Sequence, residues 1–125
     1  MNVIELSGAQ LDYWVARASG HTAKLDGDRA VIERVRMGVL DGAAKPWFVA
    51  WGAFSPSTNW ADGGPIIERE GICISPHDRG QTWGAWITSS CYESNDPDAR
   101  GATPLVAAMR AYVKTRFGAE VRACE

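Results

Sequence analysis

DRAVIERVRMGVL, residues 28–40, decides the fold class, because its apolar side chains recur at a spacing that a helix does not use. Val31, Glu33, Val35, Met37 and Val39 fall on one face of an extended chain and Ile32, Arg34 and Arg36 on the other, as alternation along a strand requires. The following run PWFVAWGAF, residues 46–54, is continuous and of strand length, the pattern of a strand covered on both faces. GICIS (71–75) and TWGAWITSS (82–90) bracket the polar turn PHDRGQ and read as a β-hairpin, with Trp83, Ala85 and Ile87 on one face and Trp86 and Thr88 on the other.

On either side of these strands the period becomes helical. In LSGAQLDYWVARASG, residues 6–20, Ser7 and Gln10 make a capping box, Leu6 and Leu11 a hydrophobic staple, and Leu11, Trp14, Val15 and Ala18 the apolar stripe that Gly20 stops. In ATPLVAAMRAYVKTRFG, residues 102–118, Thr103 caps, Pro104 takes the first helical position and Gly118 ends the run. Leu105, Ala108, Met109, Tyr112, Val113 and Phe117 form its stripe, and Arg110, Lys114 and Arg116 complement the dipole at its C-terminal half. The expectation is one α+β domain over residues 1–125: a mostly antiparallel sheet of about four or five strands with two main helices on one face, in two layers.

Composition narrows the function classes. A chain of 125 residues, 46% of them apolar, builds a core without metal or disulfide staples. Thirteen basic against fifteen acidic side chains, a net charge of -2, lack the electrostatic footprint of a nucleic-acid binder. Cys73, Cys91 and Cys124 have no zinc spacing and read as reduced thiols, and no signal peptide or spanning segment is visible, so the expected location is the cytoplasm, with no membrane partner. Asp26 and Asp28 are too few ligands for a cation, so no metal and no cofactor are expected. His21 and His77 read as solvent-facing, and a Cys73–His77 nucleophile pair is not favoured. Because Trp83 and Trp86 face opposite ways, burying both needs cover on both sides of the sheet: either a partner chain supplies one side, which raises homo-oligomerisation, or one ring is exposed.

The candidate site is SPSTNWADGGPIIEREG, residues 55–71. Gly63, Gly64 and Pro65 resemble the start of a short helix over residues 65–70, where unshielded amides favour an anion. Ser55, Ser57, Thr58 and Asn59 add donors, Trp60 offers a flat wall, and Glu68 and Arg69 follow on the helix. A purely architectural turn, with the hydroxyls capping and the glycines turning the chain, explains the same residues, since the spacing matches no phosphate-binding fingerprint.

SPSTNWADGGPIIEREGI, then TPLVAAMRAYV and FGAEV, with SGAQLDYWVARASG at the N-terminus, resemble the NinX-like family of phage and prophage proteins. In that family the position of Asn59 is often Asp, so no role that needs a carboxylate is carried to it. The resemblance implies a phage or prophage origin and a place inside the bacterium, and brings no activity with it. Function is therefore expected to be non-catalytic binding of a small anionic, nucleotide-like ligand through residues 55–65. The alternative is a module that docks on a host protein through exposed aromatics. An enzyme using Glu68 or Glu70 is the least favoured of the three.

Overall fold

A computed structural model of the chain describes residues 2–40, 42–87 and 96–122, the side chains of residues 35–40 and 45–49 excepted. Cys91, Cys124, the side chain of Trp47 and the end of the TWGAWITSS arm lie outside the described residues. The chain runs α1 (Gly8–Ala18), β1 (Ala23–Asp26), β2 (Arg29–Leu40), β3 (Ala43–Ala53), α2 (Trp60–Glu70), β4 (Ile72–His77), β5 (Thr82–Ile87), β6 (Ala99–Gly101) and α3 (Pro104–Phe117). This is an α+β fold with antiparallel pairing throughout the described strands.

Those strands form two sheets, ordered β1-β2-β3 and β4-β5-β6. Each helix of the expected pair covers its own sheet: α1 packs on β1 and β2, α3 on β4, β5 and β6, and the two helices meet each other between them. The division has a local cause. The β2–β3 and β4–β5 hairpins each close on themselves, and the 11-residue α2 separates them in the chain. Leu6, Leu11, Trp14 and Val15 from the N-terminal side, Ile32 and Phe54 from the first sheet, and Leu105, Ala108, Met109 and Tyr112 from α3 share one buried cluster.

The helix signals act as the local chemistry dictates, with one exception. The Thr103 side chain accepts from the Val106 amide at 3.2 Å, and Gly118 ends α3 with a φ of 89°. Leu6 and Leu11 are both fully buried, which satisfies the staple. Ser7 occupies the N-cap position of α1 but its side chain makes no capping hydrogen bond, so the box is not closed. Burial of the flanking leucines holds this helix start instead.

Two expectations about the sheets need correction. Trp51, in the run read as covered on both faces, is 45% exposed, because it pairs with Glu33 and so stands on the face of the sheet opposite Ile32, which packs into the core; the Lys24 ammonium lies 4.2 Å from its ring. Trp83 is partly buried against the core and Trp86 is 8% exposed beside the His77 ring, so this chain covers both faces of the hairpin itself. The argument that a partner must cover one of them does not hold.

Candidate functional site

α2 begins at Trp60, five residues before the expected start, because Asn59 is an effective N-cap: its side-chain oxygen accepts from the Ala61 amide at 2.9 Å. Gly63 and Gly64 are consequently inside the helix. The Gly63 amide donates to the Asn59 carbonyl at 2.9 Å. Pro65 cannot donate to the Ala61 carbonyl, but both residues are exposed and solvent can serve that acceptor. Gly71, in the left-handed region at φ 65°, stops the helix.

The amide cradle expected at the double glycine is therefore corrected. The donors of the preceding turn are spent on the protein as well: Ser55 N–H donates to Asp62 Oδ2 at 2.9 Å and Ser57 N–H to Asp12 Oδ1 at 2.8 Å. The amides of Thr58 and Asn59 both donate to the Ser55 carbonyl, at 3.1 and 2.7 Å. Pro56 has none, so the backbone of this turn has no donor left to offer an anion.

What the segment builds on this side is a buried junction. Asp12, from the Leu-Asp-Tyr-Trp step of α1, is 5% exposed and Ser57 is 2% exposed. Burial pushes the Asp12 carboxyl above its ordinary value; its hydrogen bonding to Ser57 offsets part of that, and the neighbouring Asp62 charge adds to the rise. Gly63 is the third member. A methyl group there would lie 2.5 Å from the Pro56 carbonyl oxygen and 2.7 Å from Leu105 Cδ2, so only hydrogen fits. Leu105 belongs to the TPLVAAMR helix, so the three stretches that stood out in the sequence meet at one place.

The opposite side of α2 is open. Trp60 is 56% exposed, nothing lies within 4 Å of a methyl placed on Gly64, and Thr58, Glu68 and Arg69 are exposed. Between α2, β2 and the end of α1 lies a cleft of about 210 Å³. Ile32, Phe54 and Ile66 give it apolar walls, and Arg34, Arg69 and His21 bring positive or protonatable groups to it. Arg34 packs across Gly52 and donates to the Ala53 carbonyl at 3.1 Å, a neutral acceptor that places the charge without cancelling it. Arg69 donates to the Tyr112 hydroxyl at 3.2 Å, and the Glu70 oxygen 3.7 Å from its Nε is held more closely by Arg116, at 2.8 Å. The His21 ring meets Phe54 edge-on with centroids 5.4 Å apart. Asp62 is the carboxylate in the wall, one oxygen engaged by the Ser55 amide.

Of the sequence-predicted site residues, Arg69 lines this cleft. Ser57 and Gly63 are buried in the junction, Ser55 and Asn59 contribute turn and cap hydrogen bonds, and Thr58, Trp60, Gly64 and Glu68 are outside its lining. The Glu70 carboxylate is committed to Arg116. His21 and Arg34 were missed as site residues. The available signal was Arg34 on the Ile32 face of β2, a charge continuing the buried side of a strand.

A family model described as Bacteriophage P22, NinX matches residues 2–116. The chain belongs to the phage P22 NinX family. A comparison with curated proteins gives no match. The NinX match runs from the first described residue almost to the end of α3, and so takes in the junction, the cleft and both sheets. No helix among the described residues is long and apolar enough to cross a membrane, and none of their His, Cys, Asp and Glu side chains form a metal-binding group.

Proposed function

We propose that this NinX-family protein binds a small anion without transforming it, in the cleft walled by Ala61, Asp62 and Pro65 of the 55–65 segment and completed by Arg69, Arg34 and His21. The observation that carries the proposal is the convergence of Arg34 and Arg69 from separate elements onto a partly apolar hollow, each placed by a neutral acceptor. The apolar walls of Ile32, Phe54 and Ile66 on one side of the hollow limit the solvent that screens their pull on an anion. At about 210 Å³ the hollow is below the roughly 300–1,000 Å³ of sites that enclose a drug-sized molecule. It suits a phosphate or short carboxylate, or the phosphate end of a nucleotide whose base lies outside. The ligand would be met inside the infected bacterium.

Thermal unfolding with inorganic phosphate, pyrophosphate, short dicarboxylates and nucleotides tests this, because a ligand specific for the native state at 100 times its Kd adds about 2.7 kcal/mol of stability. Arg34→Gln and Arg69→Gln should each remove most of that shift while leaving the ligand-free protein folded. No shift with any of these anions, or a shift that survives both substitutions, ends the proposal.

A second reading, docking on a host protein, draws support from the exposed indole of Trp60 next to the bare backbone of Gly64. Its signature would be a binding partner lost on Trp60→Ala with the anion response intact.

A further inference from the structure

α3 and β6 flank a second cleft of about 500 Å³, none of whose lining residues belongs to the 55–65 segment. Arg110 and Lys114 sit one helical turn apart on α3, so both point to it. Arg110 Nε donates to the Leu6 carbonyl at 2.8 Å and its terminal nitrogen to the Arg100 carbonyl at 2.9 Å. Lys114 Nζ donates to the Asp98 carbonyl at 3.1 Å. These acceptors are neutral, and among the described residues no carboxylate comes within 4.0 Å of either cation. Among the described residues, then, each cation is held by backbone carbonyls and neither has a counter-ion. Burial lowers the Arg110 guanidinium from its ordinary value, a sign that holding this charge here is costly and that an anion would relieve it.

The rest of the lining sets the ligand class. Gln81 and Thr82 offer polar groups, and Ile4, itself 54% exposed, joins Pro97 and Ala99 in an apolar portion. Arg100 is shared with Asp78 at 3.5 Å, and the Asp98 carboxylate accepts the Ile87 amide at 2.7 Å. The volume lies within the range of sites that enclose an organic molecule, unlike the cleft at α2. We infer that this second cleft takes a phosphate ester of nucleotide size, its phosphate on Arg110 and Lys114 and its organic part against Ile4, Pro97 and Ala99. The inference does not depend on the anion site at α2.

Titrating the isotope-labelled full chain with AMP, inorganic phosphate and adenosine, followed by NMR, tests it. AMP should saturably shift the amide signals of Ala99, Arg100, Gly101 and Ile4, with adenosine and inorganic phosphate each binding at least tenfold more weakly. Lys114→Gln, at an exposed position that does not threaten folding, should weaken AMP about tenfold or more, the size expected for one charge-assisted contact. Arg110→Lys should weaken it too, and Arg34→Gln should leave the AMP-dependent shifts of Ile4, Ala99, Arg100 and Gly101 unchanged, whatever it does to binding at the α2 cleft. AMP shifts absent from β6, equal affinity for inorganic phosphate, or unaltered AMP binding by the Lys114 variant would each overturn the assignment. Because Arg34→Gln acts at the other cleft alone, failure here and failure there are read separately.

Discussion

Gly63 and Gly64 are neighbours in one helix and have opposite surroundings. Gly63 is wedged between the Pro56 carbonyl and Leu105, where a methyl would overlap both, whereas Gly64 has empty space on its side. A glycine inside a helix costs about 1 kcal/mol relative to alanine. At Gly63 that cost permits the close approach of α2, the 55–59 turn and α3. At Gly64 nothing among the described residues comes within 4 Å of where a methyl would sit, so no packing there offsets the cost, and the face it shares with the exposed Trp60 is open. The pair teaches that a motif can be half architecture and half surface, one residue apart.

The sharpest way to break this contrast is Gly63→Ala. Leu105 can turn aside, but the Pro56 carbonyl is backbone, so overpacking should outweigh the gain in helix propensity and lower stability by about 2 kcal/mol or more in denaturant unfolding. An unchanged midpoint would mean that the junction is loose. Asp12→Ala comes next. It strips the buried Ser57 amide of its acceptor and should cost about 1–2 kcal/mol, measured in the same way. Gly64→Ala should have the opposite sign, a gain of about 1 kcal/mol, since the new methyl meets nothing. A loss there would place a hidden constraint on the open face and erase the distinction.

The smallest effect is a pH trend. The folded protein holds the Asp12 proton more tightly than the unfolded chain does, because burial raises that carboxyl. Its contribution to stability is therefore full below the unfolded pKa and is lost as pH rises through the folded one, the reverse of an ion-paired carboxylate. Asp12→Asn keeps an acceptor for Ser57 and does not titrate. Its melting temperature relative to the parent should climb from about pH 4 toward neutrality; a flat difference would show that the carboxyl is not held out of water.

Much of the fold was legible because it rests on short-range rules. Thr103, Pro104 and Gly118 bound α3 through contacts a few residues long, and the PHDRGQ turn closes β4 on β5 in the expected pairing. The two-sheet division was not legible, since a hairpin reads the same whichever sheet receives it. Nor was the start of α2. Gly-Gly-Pro looks like a helix start, yet the Asn59 cap upstream and the exposed side of the helix, where Pro65 lacks no partner that water cannot supply, carry the helix through it. In the candidate cleft Arg69 was foreseen, while Arg34 and His21 were not, because they reach it from a strand face and a helix end distant in sequence.

By itself, then, the order of residues determined the α+β class, the cap of α3 and the stops of α1 and α3, the β4–β5 hairpin, and the resemblance that the family match bears out. Only the tertiary structure decided that the turn's amides face inward, that Gly63 is a packing residue, and which cations share a hollow. The reason is physical. Capping and alternation are settled between near neighbours, whereas the fate of a donor, a methyl-sized gap or a charge depends on which distant segment is folded against it.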